Sequence, residues 1–162
     1  MRSAMTLFCS HEVRAAPMPT PPMAGDLRLA VSDQYDGVSE RIEGELNAFN
    51  AEMTGHQDPQ PLNVSAWDSG DLLAGLCGVT WGGCGYIETV WVRADHRRRG
   101  LGTRLLSTAE KEIRGRGCDQ VALATYSFQA PGFYIRAGYS ECGRRPAFPH
   151  GHEQILFVKR LS

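Results

Sequence analysis

A turn rich in arginine and glycine, set between a strand-like run and a helix-like run, constrains the fold more than any other feature of this chain. Residues 86–93 form a β-branched and aromatic run. From Leu101 the apolar residues recur every three or four positions up to Gly115, which predicts a helix, and residues 121–126 predict another strand. This order predicts a right-handed strand–helix–strand crossover within a mixed sheet.

Further periodic runs extend the same sheet. Alternation at Leu27, Leu29 and Val31 predicts an opening strand, and apolar residues at helical spacing from Val38 to Met53 predict a helix. Runs at 62–66 and 72–81 predict strands, and the second pairs antiparallel with 86–93 across the glycine-rich connection 82–85. A short helix with Pro131 in its first turn and strands at 139–143 and 154–160 complete an α/β (α+β) arrangement.

Composition limits the class of protein. The chain has 162 residues, which matches one domain of about 150 residues. Prolines are concentrated in residues 16–25, so we interpret residues 1–25 as a disordered N-terminal extension and residues 26–162 as the domain.

Charge and cysteine usage exclude several partners. The net charge of −1 argues against binding nucleic acid or acidic membranes through the whole surface. No apolar run is long enough to span a membrane, and the 5 scattered cysteines fit a reduced cytoplasmic protein. His150 and His152 lack further residues at ligand spacing, so we predict no metal site.

The segment from Val90 to Thr103 predicts an anion-binding turn. The first N–H groups of a helix lack internal partners, and its N-terminus carries roughly half a positive charge. Gly100 and Gly102 let the backbone approach phosphate oxygens closely, while arginines 97–99 add charged donors. The P-loop pattern and the dinucleotide-binding glycine pattern are both absent.

Two motifs in this chain resemble the signatures of the GNAT acetyltransferase superfamily. Arg97, Gly100 and Gly102 match its [QR]-x-x-G-x-[GA] pyrophosphate motif, and residues 127–139 resemble its second signature, a short helix with a tyrosine followed by a glycine and an aromatic residue. The resemblance covers about Leu27 to Leu161. It implies a mostly antiparallel central sheet, flanked by helices and splayed in the middle between strands 86–93 and 120–126, where acetyl-CoA binds.

The resemblance also implies which residues hold acetyl-CoA. The pantetheine arm would pair with the backbone of Val90 and Val92 as an added strand. Ser127 stands where the second signature often has an asparagine, and we expect its hydroxyl to bond the pantetheine. The expected cofactor-binding residues are Val90, Trp91, Val92, Arg97, Arg98, Arg99, Gly100, Leu101, Gly102, Thr103, Ser127 and Tyr134.

The resemblance assigns two candidate catalytic residues. Tyr134 is expected to protonate the departing CoA thiolate, the alternative being that it only packs against the cofactor. Glu88 is expected to remove the amine proton, the alternatives being a structural carboxylate or a group that binds substrate charge. A backbone N–H near Val92 is expected to stabilise the oxyanion.

The acceptor is less constrained than the cofactor. We predict acetyl transfer to a primary amine of a small molecule by direct attack in a ternary complex; the alternatives are a protein or peptide N-acetyltransferase and a non-catalytic CoA-binding sensor. A homodimer is a further expectation from the family. Certain aromatic residues either line the acceptor pocket or belong to the core: Phe49, Trp67, Trp81, Trp91 and Phe148.

Overall fold

The computed structural model of the chain describes residues 29–32 and 37–161. The extension predicted for residues 1–25 lies outside this part, as does Leu27 of the predicted opening strand. Leu29 and Val31 are described, fully exposed and belong to no strand, so the strand prediction is wrong for them. A short alternating run becomes a strand only where a neighbouring strand supplies backbone partners, and none is paired with these residues.

The described elements after residue 37 follow the predicted order. The helices and strands are α1 Val38–Thr54, β1 Gln60–Asp68, β2 Asp71–Trp81, β3 Cys84–Val92, α2 Leu101–Gly115, β4 Gln120–Tyr126, α3 Pro131–Arg136, β5 Ser140–Pro146 and β6 Glu153–Arg160. Helix α1 belongs to one compact unit, which ends at Asp58, and the remaining elements form a second unit from Pro59 onward. None of these helices is long and apolar enough to cross a membrane.

The second unit is built on a mixed sheet with the strand order β1-β2-β3-β4-β6-β5. Every neighbouring pair is antiparallel except β3 and β4, which are parallel and are connected through α2. The β2–β3 connection is shorter than predicted, because Trp81 and Cys84 already pair and only Gly82 and Gly83 lie between them. Both glycines have positive φ. Two-residue hairpin turns need positive φ when their twist matches that of the flanking strands.

Helix α2 covers one face of this sheet. Its residues Leu105, Leu106, Ala109 and Ile113 are buried, which confirms the predicted apolar face. They pack with apolar residues from β1 to β4 in one continuous core. Each buried leucine or isoleucine contributes about 1.5–3 kcal/mol through loss of contact with water. The core therefore fixes the position of α2, and with it the turn that precedes the helix.

Strand β3 contains a bulge at Glu88. Cys77 of β2 lies opposite Thr89, and the next residue, Gly78, lies opposite Ile87, so Glu88 has no residue opposite it. An extra residue of this kind bends a strand, increases its twist and shifts the alternation of side chains by one position. Accordingly, the core-facing residues of β3 change from odd to even numbers, from Ile87 before the bulge to Val90 after it.

The bulge coincides with the point where β3 and β4 separate. The two strands pair over four residues each, and the last pair is Ile87 with Leu123. Beyond it, β4 remains paired with β6 on its other side, and β3 remains paired with β2. The predicted splay between these strands is thereby confirmed, and residues 88–92 keep an edge of backbone that faces away from β2 without a strand partner in the described sheet.

Gly78 is required by the close approach of β2 to the bulge. A Cβ at this position would lie 2.2 Å from the carbonyl oxygen of Tyr86, which is backbone that cannot move aside easily. We therefore expect Gly78→Ala to reduce the free energy of unfolding by about 1–3 kcal/mol, the usual range for overpacking. Chemical denaturation followed by circular dichroism measures this change.

Gly75→Ala is the matched control in the same strand. Its Cβ would meet only the Val64 carbonyl oxygen, at 3.8 Å, which is an ordinary contact. We expect a change within about 0.5 kcal/mol for this variant. Equal stabilities of the two variants would contradict the tight backbone packing at the bulge.

Candidate functional site

A cleft of about 810 Å³ lies where β3 and β4 separate. Its walls come from Tyr86 and residues 88–92 of β3, the turn before α2, the first turn of α2, the end of β4, the loop that follows it, α3, and Gln154 of β6. The bulge and the loss of β3–β4 pairing open this space, since two parallel strands in register leave no gap between their backbones. The cleft therefore results from the diverging paths of the two strands.

One end of the cleft is built to hold an anion. Gly100 has a φ of 81°, and the first hydrogen bond of α2 runs from the Arg104 N–H to the Gly100 carbonyl, so the N–H groups of residues 101–103 precede the helical ladder. The Arg97 Nε donates to the Val92 carbonyl at 3.1 Å, which joins the turn to β3. Arg97 and Arg98 both line the cleft. Aligned N–H groups and guanidinium groups together favour a phosphate.

Contacts between charged and polar side chains hold the residues just before this turn in place. The Asp95 carboxylate lies 2.9 Å from both the His96 Nδ1 and the Arg93 Nε. Hydrogen bonds to His96 and to Arg93 lower the pKa of Asp95 to about 2, so this carboxyl group is ionised at neutral pH. Its charge is satisfied within the turn, and His96 serves as its partner there.

Glu88 supplies the only carboxylate among the described residues that line the cleft. Its Oε1 atom is buried and has no hydrogen-bond partner. Burial raises the pKa of this carboxyl above the ordinary value for glutamate. A buried polar atom without a partner needs an explanation, and a bound cation or proton donor would provide one.

Tyr134 lies on α3 and is 9% exposed. Its ring packs edge-on against Phe133 at 5.0 Å and against Tyr139 at 5.9 Å, measured between ring centroids. Burial raises its pKa above the ordinary value for a phenol, so the hydroxyl keeps its proton at neutral pH. The residue also lines the cleft, which places the phenol on the same cavity as Glu88.

The structure brings most of the predicted site residues to this cleft. Those that line it are Glu88, Val90, Trp91, Val92, Arg97, Arg98, Gly100, Leu101, Gly102, Thr103 and Tyr134. Arg99 is exposed and does not line it. Ser127 does not line it either. Its hydroxyl accepts the Glu153 N–H at 3.1 Å, and its own N–H donates to the Glu153 carbonyl. Ser127 therefore ties the loop to β6.

Several residues that line the cleft were not predicted from the sequence. Tyr86 lies two residues before Glu88, so strand alternation was a signal that could have found it. Tyr126 and Phe128 end β4 and begin the next loop, and Arg136 ends α3. Phe128 and Arg136 lie in the segment that resembles the second signature, although neither was singled out there. No local pattern marks Tyr126, since its position depends on how the two strands diverge. Of the aromatic candidates, Trp91 lines the cleft and Trp67 lies exposed on β1.

Comparison with known proteins identifies the family and relatives of this chain. A model of the acetyltransferase (GNAT) family matches residues 26–139. A blasticidin-S acetyltransferase of Streptomyces morookaense is 39% identical over 110 residues, covering 64% of this chain and 80% of the relative. An acetyltransferase of Agrobacterium fabrum is 31% identical over 137 residues, covering 83% of this chain and all of the relative.

A solved structure shows the same fold. The crystal structure of an acetyltransferase from Bacillus cereus superposes with a TM-score of 0.71 at 28% sequence identity. The match covers 82% of this chain and 98% of the other. The mixed sheet described above is therefore the fold of that relative.

Gly102 offers a direct test of the anion end of the cleft. A Cβ at this position would point toward Phe133, 3.4 Å away, and Val92, 3.9 Å away, both of which line the cleft. A longer acidic side chain would enter the space for the phosphates and repel them. We expect Gly102→Glu to show no binding of acetyl-CoA in titration calorimetry.

Gly102→Ala is the matched control, because its methyl group makes only ordinary contacts. It is expected to bind acetyl-CoA with an affinity close to that of the parent protein. Undiminished binding by Gly102→Glu would mean that the phosphates do not lie at the start of α2.

Proposed function

The chain belongs to the GNAT acetyltransferase family, and from this premise we propose that it transfers the acetyl group of acetyl-CoA to a primary amine of a small molecule. The observation that carries the proposal is the polarity of the cleft. Arginines and helix N–H groups lie at one end, and the Glu88 carboxylate lines the same cavity with one oxygen that has no hydrogen-bond partner among the described residues. An anionic cosubstrate and a cationic acceptor fit these two charges.

The residues present fit the cosubstrate. The unpaired edge of β3 at residues 88–92 offers backbone groups to the amides of the pantetheine arm, as an added strand would use them. The pyrophosphate lies at the N–H groups of residues 101–103, next to Arg97 and Arg98. Recognition of the cosubstrate therefore rests mainly on backbone atoms and helix geometry.

The reaction follows from the two titratable side chains. The Glu88 carboxylate takes a proton from the acceptor ammonium, and the free amine attacks the thioester carbonyl carbon. A backbone N–H of β3 near Val92 stabilises the oxyanion. The carbon–sulfur bond then breaks, and the Tyr134 hydroxyl protonates the leaving thiolate. The resulting phenolate is reprotonated by the proton that the acceptor nitrogen loses as it becomes an amide. The raised pKa of Glu88 makes it a stronger base, while the raised pKa of Tyr134 keeps its proton available.

A small-molecule acceptor is supported by the relative named blasticidin-S acetyltransferase, which shares 39% identity over 110 residues. The test is a calorimetric titration with acetyl-CoA, followed by measurement of thiol release with a panel of small amines and peptides. Binding with turnover on small amines is expected. Turnover on peptides alone would favour a protein acetyltransferase, and binding without turnover would favour a CoA sensor.

Tyr134→Phe tests the general acid. Removing the hydroxyl leaves the buried ring in place but withdraws the proton donor, so kcat is expected to fall by about 10²-fold or more. Steady-state thiol release measures this. Tyr139→Phe is the control, because its hydroxyl is also buried but does not line the cleft, and kcat should stay close to that of the parent. A full rate in Tyr134→Phe leaves Tyr134 with a packing role.

Glu88→Gln tests the general base through pH. The ionised carboxylate is the active form, so kcat/KM falls as pH decreases through the pKa of Glu88. Because burial raises this pKa, the decline should begin above the ordinary glutamate value of about 4.3. In Glu88→Gln the decline should vanish and the rate at neutral pH should drop by about 10²- to 10⁴-fold. An identical pH profile in the variant argues against Glu88 as the base.

A further inference from the structure

A layer of aromatic side chains borders the cleft on the β4 side. Tyr126 and Phe128 both line the cleft, and their rings stack nearly parallel, with centroids 5.3 Å apart and an interplanar angle of 5°. Phe128 is 54% exposed although it is a large apolar side chain. A phenylalanine left in solvent at the wall of a binding cleft marks a surface that a ligand can cover.

Contacts with neighbouring side chains hold this aromatic layer in place. His152 contacts Phe128 edge-on at 4.8 Å, and Phe148 packs against Tyr126 at 6.1 Å. The Gln129 Oε1 accepts hydrogen bonds from the Thr125 hydroxyl and the Tyr126 N–H, which fixes the turn that carries Phe128. Because these contacts already restrict the rings, a ligand that stacks on them loses little additional conformational entropy of the protein.

The aromatic layer lies on the same cavity as the carboxylate. Tyr86 lines the cleft, and its pKa is raised by burial first and then by the negative charges of Glu88 and Tyr126. Tyr86, Glu88, Tyr126 and Phe128 all line this one cleft, where β3 and β4 separate. A bound molecule that places its ammonium group at Glu88 therefore has an aromatic surface within reach.

We propose that Tyr126 and Phe128 form a stacking platform for the acceptor, which is a primary amine carried on a flat, unsaturated ring. The inference rests on the proposed function, since it assigns the acceptor side of the same cleft. A planar ring has a face that lies against Phe128 over its whole area, whereas a puckered saturated ring touches it at a few atoms. Stacked aromatic pairs gain about 0.5–1.5 kcal/mol beyond area burial, which corresponds to roughly two- to tenfold in affinity.

Benzylamine and cyclohexylmethylamine test whether the shape of the acceptor ring matters when its size is nearly constant. Both carry an aminomethyl group on a six-membered ring, but only the ring of benzylamine is flat. Their dissociation constants are measured by calorimetry with saturating CoA, where no turnover occurs. Their kcat/KM values are measured with acetyl-CoA. The parent protein is expected to prefer benzylamine by about two- to tenfold in both measurements.

Two variants assign the preference to the ring at position 128. Phe128→Leu keeps an apolar side chain without a ring, and the ratio between the two amines should fall close to one while acetyl-CoA affinity stays unchanged. Phe128→Tyr keeps the ring and should retain the preference. Because Phe128 is half exposed, neither substitution removes a core side chain.

The outcomes separate this inference from the proposed function. Equal binding of the two amines by the parent, binding of neither, or a preference that survives in Phe128→Leu overturns the platform. Loss of acetyl-CoA binding in Phe128→Leu also overturns it, because the residue would then belong to the cosubstrate site. Failure of the parent protein to bind acetyl-CoA overturns the proposed function instead.

Discussion

The single extra residue in β3 is the constraint on which the site depends. Glu88 has no partner on β2, and pairing between β3 and β4 stops at the residue before it. One bulge therefore bends the strand, frees the backbone edge of residues 88–92 and places the Glu88 side chain in the gap. Gly78 makes this possible, since any side chain there would collide with the backbone of Tyr86.

In the proposed reaction, the two substrates are recognised by different kinds of atom. Backbone groups of β3 and of the first turn of α2 line the part of the cleft proposed for the cosubstrate, and their positions are fixed by the core that buries α2. The acceptor side of the cleft is made of side chains, namely Glu88 and the aromatic residues of β4 and its following loop. Backbone recognition tolerates changes in sequence, whereas side-chain recognition changes with each substitution. This division explains why family membership identifies the cosubstrate more sharply than the acceptor.

The sequence predicted the elements that are defined by local patterns. Helix α2, the turn with Gly100 and Gly102, and the strands of the central hairpin all follow from periodicity and from glycine and arginine placement. The splay itself was expected only from the resemblance, because the residue at which β3 and β4 stop pairing depends on contacts between strands that are distant in sequence.

Features set by tertiary contacts were harder to predict. The contact of Ser127 with the pantetheine stays a prediction, and the sequence did not indicate that its hydroxyl accepts an N–H from Glu153, which is 26 residues away. The rings of Tyr126 and Phe128 are packed against Phe148 and His152, which lie in the loop between β5 and β6. Leu29 and Val31 alternate like a strand, yet no described strand pairs with them. In each case a distant partner, or the lack of one, decides the outcome.

Hydrogen–deuterium exchange with and without acetyl-CoA tests the central claim most directly, which is that the edge of β3 freed by the bulge binds the cosubstrate as an added strand. Exchange is predicted to slow in peptides that cover residues 88–92 and 101–103, while β1 and β5 exchange at unchanged rates. If acetyl-CoA binds but exchange at residues 88–92 is unaltered, the cosubstrate does not occupy the gap between β3 and β4, and the account is contradicted.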